Sequence, residues 1–122
     1  MPVSYMILED TVLVVLMGVV EDREMIEAQN DLFQNPAFRG DLPRLIDATG
    51  VMALRLSANV IRHLSIAAYD RGLRKSALVT NQTDIVFGLM RMYAGYTADA
   101  EVEVFRDRPL AIAWLEGKPP NL

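Results

Sequence analysis

Val3, Tyr5 and Ile7 alternate with Ser4, Met6 and Leu8, which is the period of a strand. A polar break at Glu9 and Asp10 separates this run from a second over residues 11–17. Two strands this close pair as an antiparallel hairpin. The second run is apolar at every position from Val12 to Leu16, the pattern of a central strand covered on both faces. Near Glu21 the period becomes helical, with Met25, Ile26, Gln29, Leu32 and Phe33 at helical spacing. Glu21, Asp22 and Glu24 occupy the first turn, where the helix dipole favours acids, and Asn35-Pro36 stops the helix.

Residues 38–43 read as a loop, residues 44–48 as a short strand, and Thr49-Gly50 as a turn. Ser57 is placed to cap a second helix that ends at Gly72 and carries Val60, Leu64, Ala67, Ala68 and Arg71 on one face. Residues 76–80 form another strand around Ala77, Leu78 and Val79. A third helix over residues 84–96 is followed by an alternating strand over 101–105. The chain closes on a short helix capped by Asp107, with Leu110, Ala113 and Trp114 expected to face inward. The order β-β-α-β-α-β-α-β-α predicts an α/β fold: an N-terminal hairpin, then βα units whose parallel strands are joined by right-handed crossovers. No repeat or linker interrupts it, so residues 1–117 are expected to form one domain and 118–122 a tail.

At 122 residues the chain is long enough for a hydrophobic core without staples. Apolar residues make up 52% of it, a surplus that points to an interface or pocket beyond the core. The net charge of −4 has the wrong sign for nucleic-acid binding driven by counterion release. With no cysteine, thiolate metal sites, disulfides and a cysteine nucleophile are excluded, and a cytoplasmic setting is compatible. The longest apolar run, from Val12 to Val20, is far short of the roughly 20 residues a membrane-spanning helix requires.

Candidate chemistry is sparse. Glu21, Asp22, Asp47, Asp84 and Asp107 recur after successive strands, at the sheet edge where α/β proteins hold ligands. Such carboxylates can ligate a divalent cation, but all except Asp47 also sit where a helix begins and acids act as caps. Asp47 can form an Asx-turn into Thr49-Gly50. A phosphorylation-receiver reading of these acids fails, because Arg106 stands where that family has a lysine. His63, the one histidine, has no nucleophile or orienting carboxylate near it in sequence, and no glycine-rich phosphate loop occurs. The third helix is apolar around most of its circumference, through Ile85, Val86, Phe87, Leu89, Met90, Met92, Tyr93 and Tyr96. Three readings fit it: deep burial, a dimer interface, or one wall of an apolar ligand pocket.

Three stretches carry a resemblance: Leu45-Ile46-Asp47-Ala48, Phe87-Gly88-Leu89-Met90-Arg91-Met92-Tyr93, and Val104-Phe105-Arg106-Asp107 with Ala113-Trp114-Leu115. They resemble the SpoIIAA-like proteins, small bacterial domains of the STAS type that are akin to the CRAL-TRIO lipid-transfer domain. The resemblance implies a non-enzymatic binding or regulatory module without cofactor or metal. It directs attention to Phe87, Met90, Arg91 and Tyr93 as ligand or interface residues, and to a small apolar or lipid-like molecule, a protein partner or a second copy as what they meet. In anti-sigma-factor antagonists of this class an Asp-Ser-Ser-Gly opens the second helix and its serine is phosphorylated. The corresponding segment here is Arg55-Leu56-Ser57-Ala58, so Ser57 is the candidate phosphosite, in a motif that has lost both its acid and its glycine.

Overall fold

A computed structural model of the chain describes residues 2–80, 84–96 and 99–117, with only the backbone of 84 and 85. The side chains of Asp84 and Ile85 and the tail 118–122, all named above, lie outside the described residues. Five strands, β1 (Val3–Ile7), β2 (Val12–Glu21), β3 (Arg44–Arg55), β4 (Lys75–Val79) and β5 (Glu101–Phe105), form one sheet in the order β1-β2-β3-β4-β5. The β1–β2 hairpin is antiparallel, and every later pairing is parallel. Helices α1 (Asp22–Gln34), α2 (Ala58–Asp70) and α3 (Asp84–Ala94) connect the parallel strands, and α4 (Arg108–Leu115) follows the last.

Strand order alone dictates how the layers form. Right-handed crossovers that always step in the same direction place their helices on one face of the sheet. The main core is accordingly one-sided: Val12, Val14, Leu16, Ile46, Ala48 and Leu78 of the sheet meet Leu32, Phe33, Ala68 and Met90 of the three helices. Since α4 makes no crossover, it is free to take the other face. There it builds a second, smaller cluster in which Ala111 packs on Leu45, Ala77 and Val79, flanked by Leu13, Phe105, Trp114 and Leu115.

The expectation that β2 is covered on both faces therefore needs correction. Val12, Val14 and Leu16 are buried, but Leu13 and Val15 are only partly covered, and Met17 is 58% exposed. The eight-residue helix on that side makes its main contacts with β3, β4 and β5.

A second correction concerns Thr49-Gly50, which does not turn the chain. The strand β3 runs on to Arg55 beside a β2 that also extends beyond Met17, to Glu21. Register shifts between Val15/Met17 and Gly18/Val19 fit two extra residues of β3 against β2. Asp47 Oδ1 accepts from the Thr49 N–H at 2.9 Å and from its hydroxyl at 2.7 Å. The local Asx geometry is thus the one expected, but it serves a bulge within a strand. Opposite it, Gly18 takes φ +68°, a conformation only glycine enters cheaply.

Helix ends follow their sequence signals. The Glu24 carboxylate accepts from the Glu21 N–H at 2.9 Å, and Ser57 Oγ accepts from the Val60 N–H at 3.2 Å. The buried face of α2 is Ile61, Leu64, Ser65 and Ala68, rotated from the expected one: Val60 is only half-buried. Arg71 is the C-cap, and its guanidinium lies 5.0 Å and 6.0 Å from the Phe33 and Phe38 ring centroids. In α4, Asp107 caps the Leu110 N–H at 3.1 Å, but Leu110 is exposed and Ala111 takes the inward position. Trp114 is half-buried, stacked between Phe105 at 5.7 Å and the Lys75 ammonium at 4.9 Å.

Candidate functional site

The four residues singled out on α3 separate into two pairs, because successive positions of a helix face different ways. Met90 is buried and Tyr93 half-buried on the side that meets the sheet, together with Val86 and Leu89. Phe87 and the exposed Arg91 instead line a shallow groove of about 320 Å³ with Ala94, Gly95 and the edge strand residues 102–104. The Arg106 guanidinium sits 4.3 Å from the Phe87 ring centroid, a cation–π contact that ties β5 to α3. Met92 and Tyr96 point to solvent.

Behind Met90 and Tyr93 lies a cavity of about 50 Å³ between the sheet and the helices. Its walls come from every element of that layer: Met25 and Gln29 of α1, Ile46 and Leu54 of β3, Leu56 just before α2, and Leu64, Leu89 and Met90 of the helices. The lining is mostly apolar, with Gln29, Arg44 and Tyr93 as its polar members. Gln29 Nε2 donates to the Leu64 carbonyl at 3.3 Å, and outside the lining Ser65 Oγ donates to the Tyr93 carbonyl at 3.1 Å. At the floor, Arg44 donates from Nη2 to the Tyr93 hydroxyl and from Nε to Ser76 Oγ at 3.3 Å.

Sequence reasoning passed over Arg44, Gln29, Leu54 and Leu56. A signal was present for the first. Arg44 shares strand parity with Ile46 and Ala48, so in a strand that buries those two it must be buried as well. For Leu54 and Leu56 no signal existed while β3 was taken to end at Ala48.

Among the described residues the acids aligned after the strands do not converge. Asp22 Oδ1 accepts from the Ser57 N–H at 2.8 Å, Asp107 caps α4, and Asp47 pairs with Arg108 at 2.8 Å. Among the described residues no three acids or histidines are grouped as metal ligands would be. His63 is exposed on α2. Ser57 is exposed at the α2 N-terminus with its hydroxyl engaged as the cap. Next to it, Arg55 lies 3.9 Å from Glu21.

One further polar pair stands on the same sheet face near the hairpin. The Tyr5 hydroxyl donates to Asp31 at 2.6 Å and accepts from Asn35 Nδ2 at 3.3 Å. The bond to Asp31 holds the phenol above its ordinary pKa, and the one from Asn35 partly offsets this.

No family model matches the sequence, and no curated protein matches it. Solved structures do match in shape. An uncharacterised protein of the DUF3478 family from Shewanella loihica PV-4, with a SpoIIAA-like fold, superimposes with a TM-score of 0.64 at 18% identity, covering 93% of this chain and 91% of that one. The anti-sigma factor antagonist SpoIIAA in its unphosphorylated form gives 0.57 at 12% identity over 94% of this chain and 98% of its own. The Bacillus cell fate determinant SpoIIAA in its phosphorylated form gives 0.56 at 13% identity over 93% and 98%. Near-complete coverage in both directions, with a hairpin leading into parallel βα units, makes this chain a SpoIIAA-like α/β fold.

Proposed function

We propose that the chain is a non-catalytic binding module that holds a small apolar or lipid-like molecule between α3 and the sheet. The observation that carries this reading is the cavity behind Met90 and Tyr93, where residues from five consecutive elements, α1 to α3, present mostly apolar surface to unfilled space. Close packing leaves few such voids, and an apolar one stays dry and accepts an apolar guest. Titration calorimetry with butanol, hexanol and octanol tests it. Saturable binding of at least one alcohol is expected, and Leu89→Trp, which fills the cavity, is expected to abolish it. If no alcohol binds, or if Leu89→Trp binds as the unmodified protein does, the reading fails.

Self-association belongs to the same proposal but not to α3. The larger apolar exposure is on the opposite side of the molecule, at Met6, Leu8, Met17 and Met52. Large apolar side chains exposed on one face are what interaction sites present, and we assign the expected second copy or protein partner to that face.

A second reading, partner switching through phosphorylation of Ser57, draws on the exposure of Ser57 at a helix N-terminus. A phosphate there would meet unpaired N–H groups, although it would also lie beside Asp22. Ser57→Asp should then change binding to a partner captured with the purified protein while Ser57→Ala does not. Identical binding by both variants would remove this reading.

A further inference from the structure

Arg44 is 4% exposed, and its guanidinium lies inside the layer between the sheet and the three crossover helices. Its partners are the Ser76 and Tyr93 hydroxyls, and it leans on the Tyr93 ring at 5.8 Å. All of these are neutral. Among the described residues no carboxylate pairs with it. A buried lysine in this position could shed its proton, but arginine does not, so a full positive charge stays in an apolar layer. Charges buried in this way are ordinarily paired.

The hydrogen-bond inventory points in the same direction. Ser76 Oγ and the Tyr93 oxygen are occupied as acceptors from Arg44, so their own protons remain to be donated, and neither has an acceptor among the described residues. These make two donors without an acceptor, although among the described residues no buried side-chain nitrogen or oxygen lacks a hydrogen-bond partner altogether. Arg44 lines three voids: the 50 Å³ cavity, one of about 20 Å³ toward Tyr5 and Leu32, and one of about 10 Å³ beside Ser65 and Ser76. Taking roughly 10–15 Å³ for each water-sized group, the largest holds about four of them.

From a fixed cation, surplus donors and an apolar chamber of this size, we infer that the cavity binds a short-chain aliphatic carboxylate. Its carboxylate rests on Arg44 and the Tyr93 hydroxyl, and its alkyl chain lies among Leu54, Leu56, Leu64, Leu89 and Met90. A carboxylate matches the planar guanidinium fork, and a single negative charge neutralises Arg44 where a phosphate dianion would overcompensate. This inference rests on the proposed ligand cavity and adds the charge and length of the ligand.

Calorimetry at neutral pH with butyrate and butanol separates the two ideas. Butyrate is expected to bind the unmodified protein at least tenfold more tightly than butanol. In Arg44→Met that preference is expected to vanish while butanol binding persists. Tyr93→Phe, which removes one donor and leaves the core volume intact, should weaken butyrate several-fold without affecting butanol, and it serves also if Arg44→Met does not fold. Equal affinities for butyrate and butanol in the unmodified protein would overturn the carboxylate and leave the cavity standing. Binding of neither would overturn both, and butyrate binding that Tyr93→Phe does not weaken would place the anion elsewhere.

Discussion

The two faces of this sheet are made from the same five strands and are finished differently. Three crossover helices seal one face, and a single eight-residue helix covers part of the other. The difference follows from connectivity, because one-directional right-handed crossovers leave the second face to whatever follows the last strand. On the sealed face the protein contains a buried cation and a cavity. On the open one it presents methionines, with Met52 at 79% exposure. The lesson is that the apolar surplus has two main destinations, a cavity behind α3 and the exposed side chains of the open face.

The contrast breaks most directly by truncation. Ile61→Ala on the sealed face should cost about 3 kcal/mol, while Met17→Ser or Met52→Ser should change stability by less than about 0.5 kcal/mol, as read by urea unfolding at low protein concentration. A comparable loss at Met17 would mean that the open face is covered in solution. Next in size is Asp47, buried beneath α4. Asp47→Ala leaves the Thr49 N–H without its acceptor and Arg108 without its partner, for an expected loss of about 2 kcal/mol in the same unfolding measurement. A loss that small change in Arg108→Met fails to approach would show that the bulge, not the ion pair, is what Asp47 supports.

The open face is sharpened by a different readout. The double change Met17→Ser, Met52→Ser should shift sedimentation equilibrium toward monomer while leaving the unfolding midpoint in place. An unchanged mass distribution would remove self-association from this surface. The smallest effect is expected at Tyr5. Its folded-state pKa is raised, so the stability from its bond to Asp31 is fully present below the unfolded value of 10.0 and is lost as pH rises through the folded one. Tyr5→Phe should therefore flatten the stability–pH curve above pH 10 and leave the curve's shape near neutrality unaltered.

Much of this architecture was legible in the sequence, for reasons specific to each element. The hairpin was announced by two apolar runs separated by Glu9 and Asp10, and α2 by the Ser57 cap and Gly72, which takes φ +95° beyond its end. Strand β3 was misjudged because Thr49-Gly50 carries the residues of a turn, and only the pairing with β2, a tertiary fact, converts that signal into a bulge. The face of α4 was misjudged by one position, since eight residues give too few turns to fix a phase from apolar spacing alone. The site suffered most from the shortened strand. Leu54 and Leu56 line the cavity only because β3 continues, and Arg44 turns inward by strand parity, against the usual rule that charge marks surface.

Sequential strand order also bears on how the molecule comes to exist. From β2 onward, every strand finds its partner in the one synthesised immediately before it. No early strand waits for a late one, and no late strand must be threaded between two already paired. A chain emerging from the ribosome can therefore extend the sheet by one strand and one helix at a time, each addition closing only a short loop. Among the described residues α4 alone docks on the second face, and the exposed methionines lie on the part of the sheet that it leaves bare.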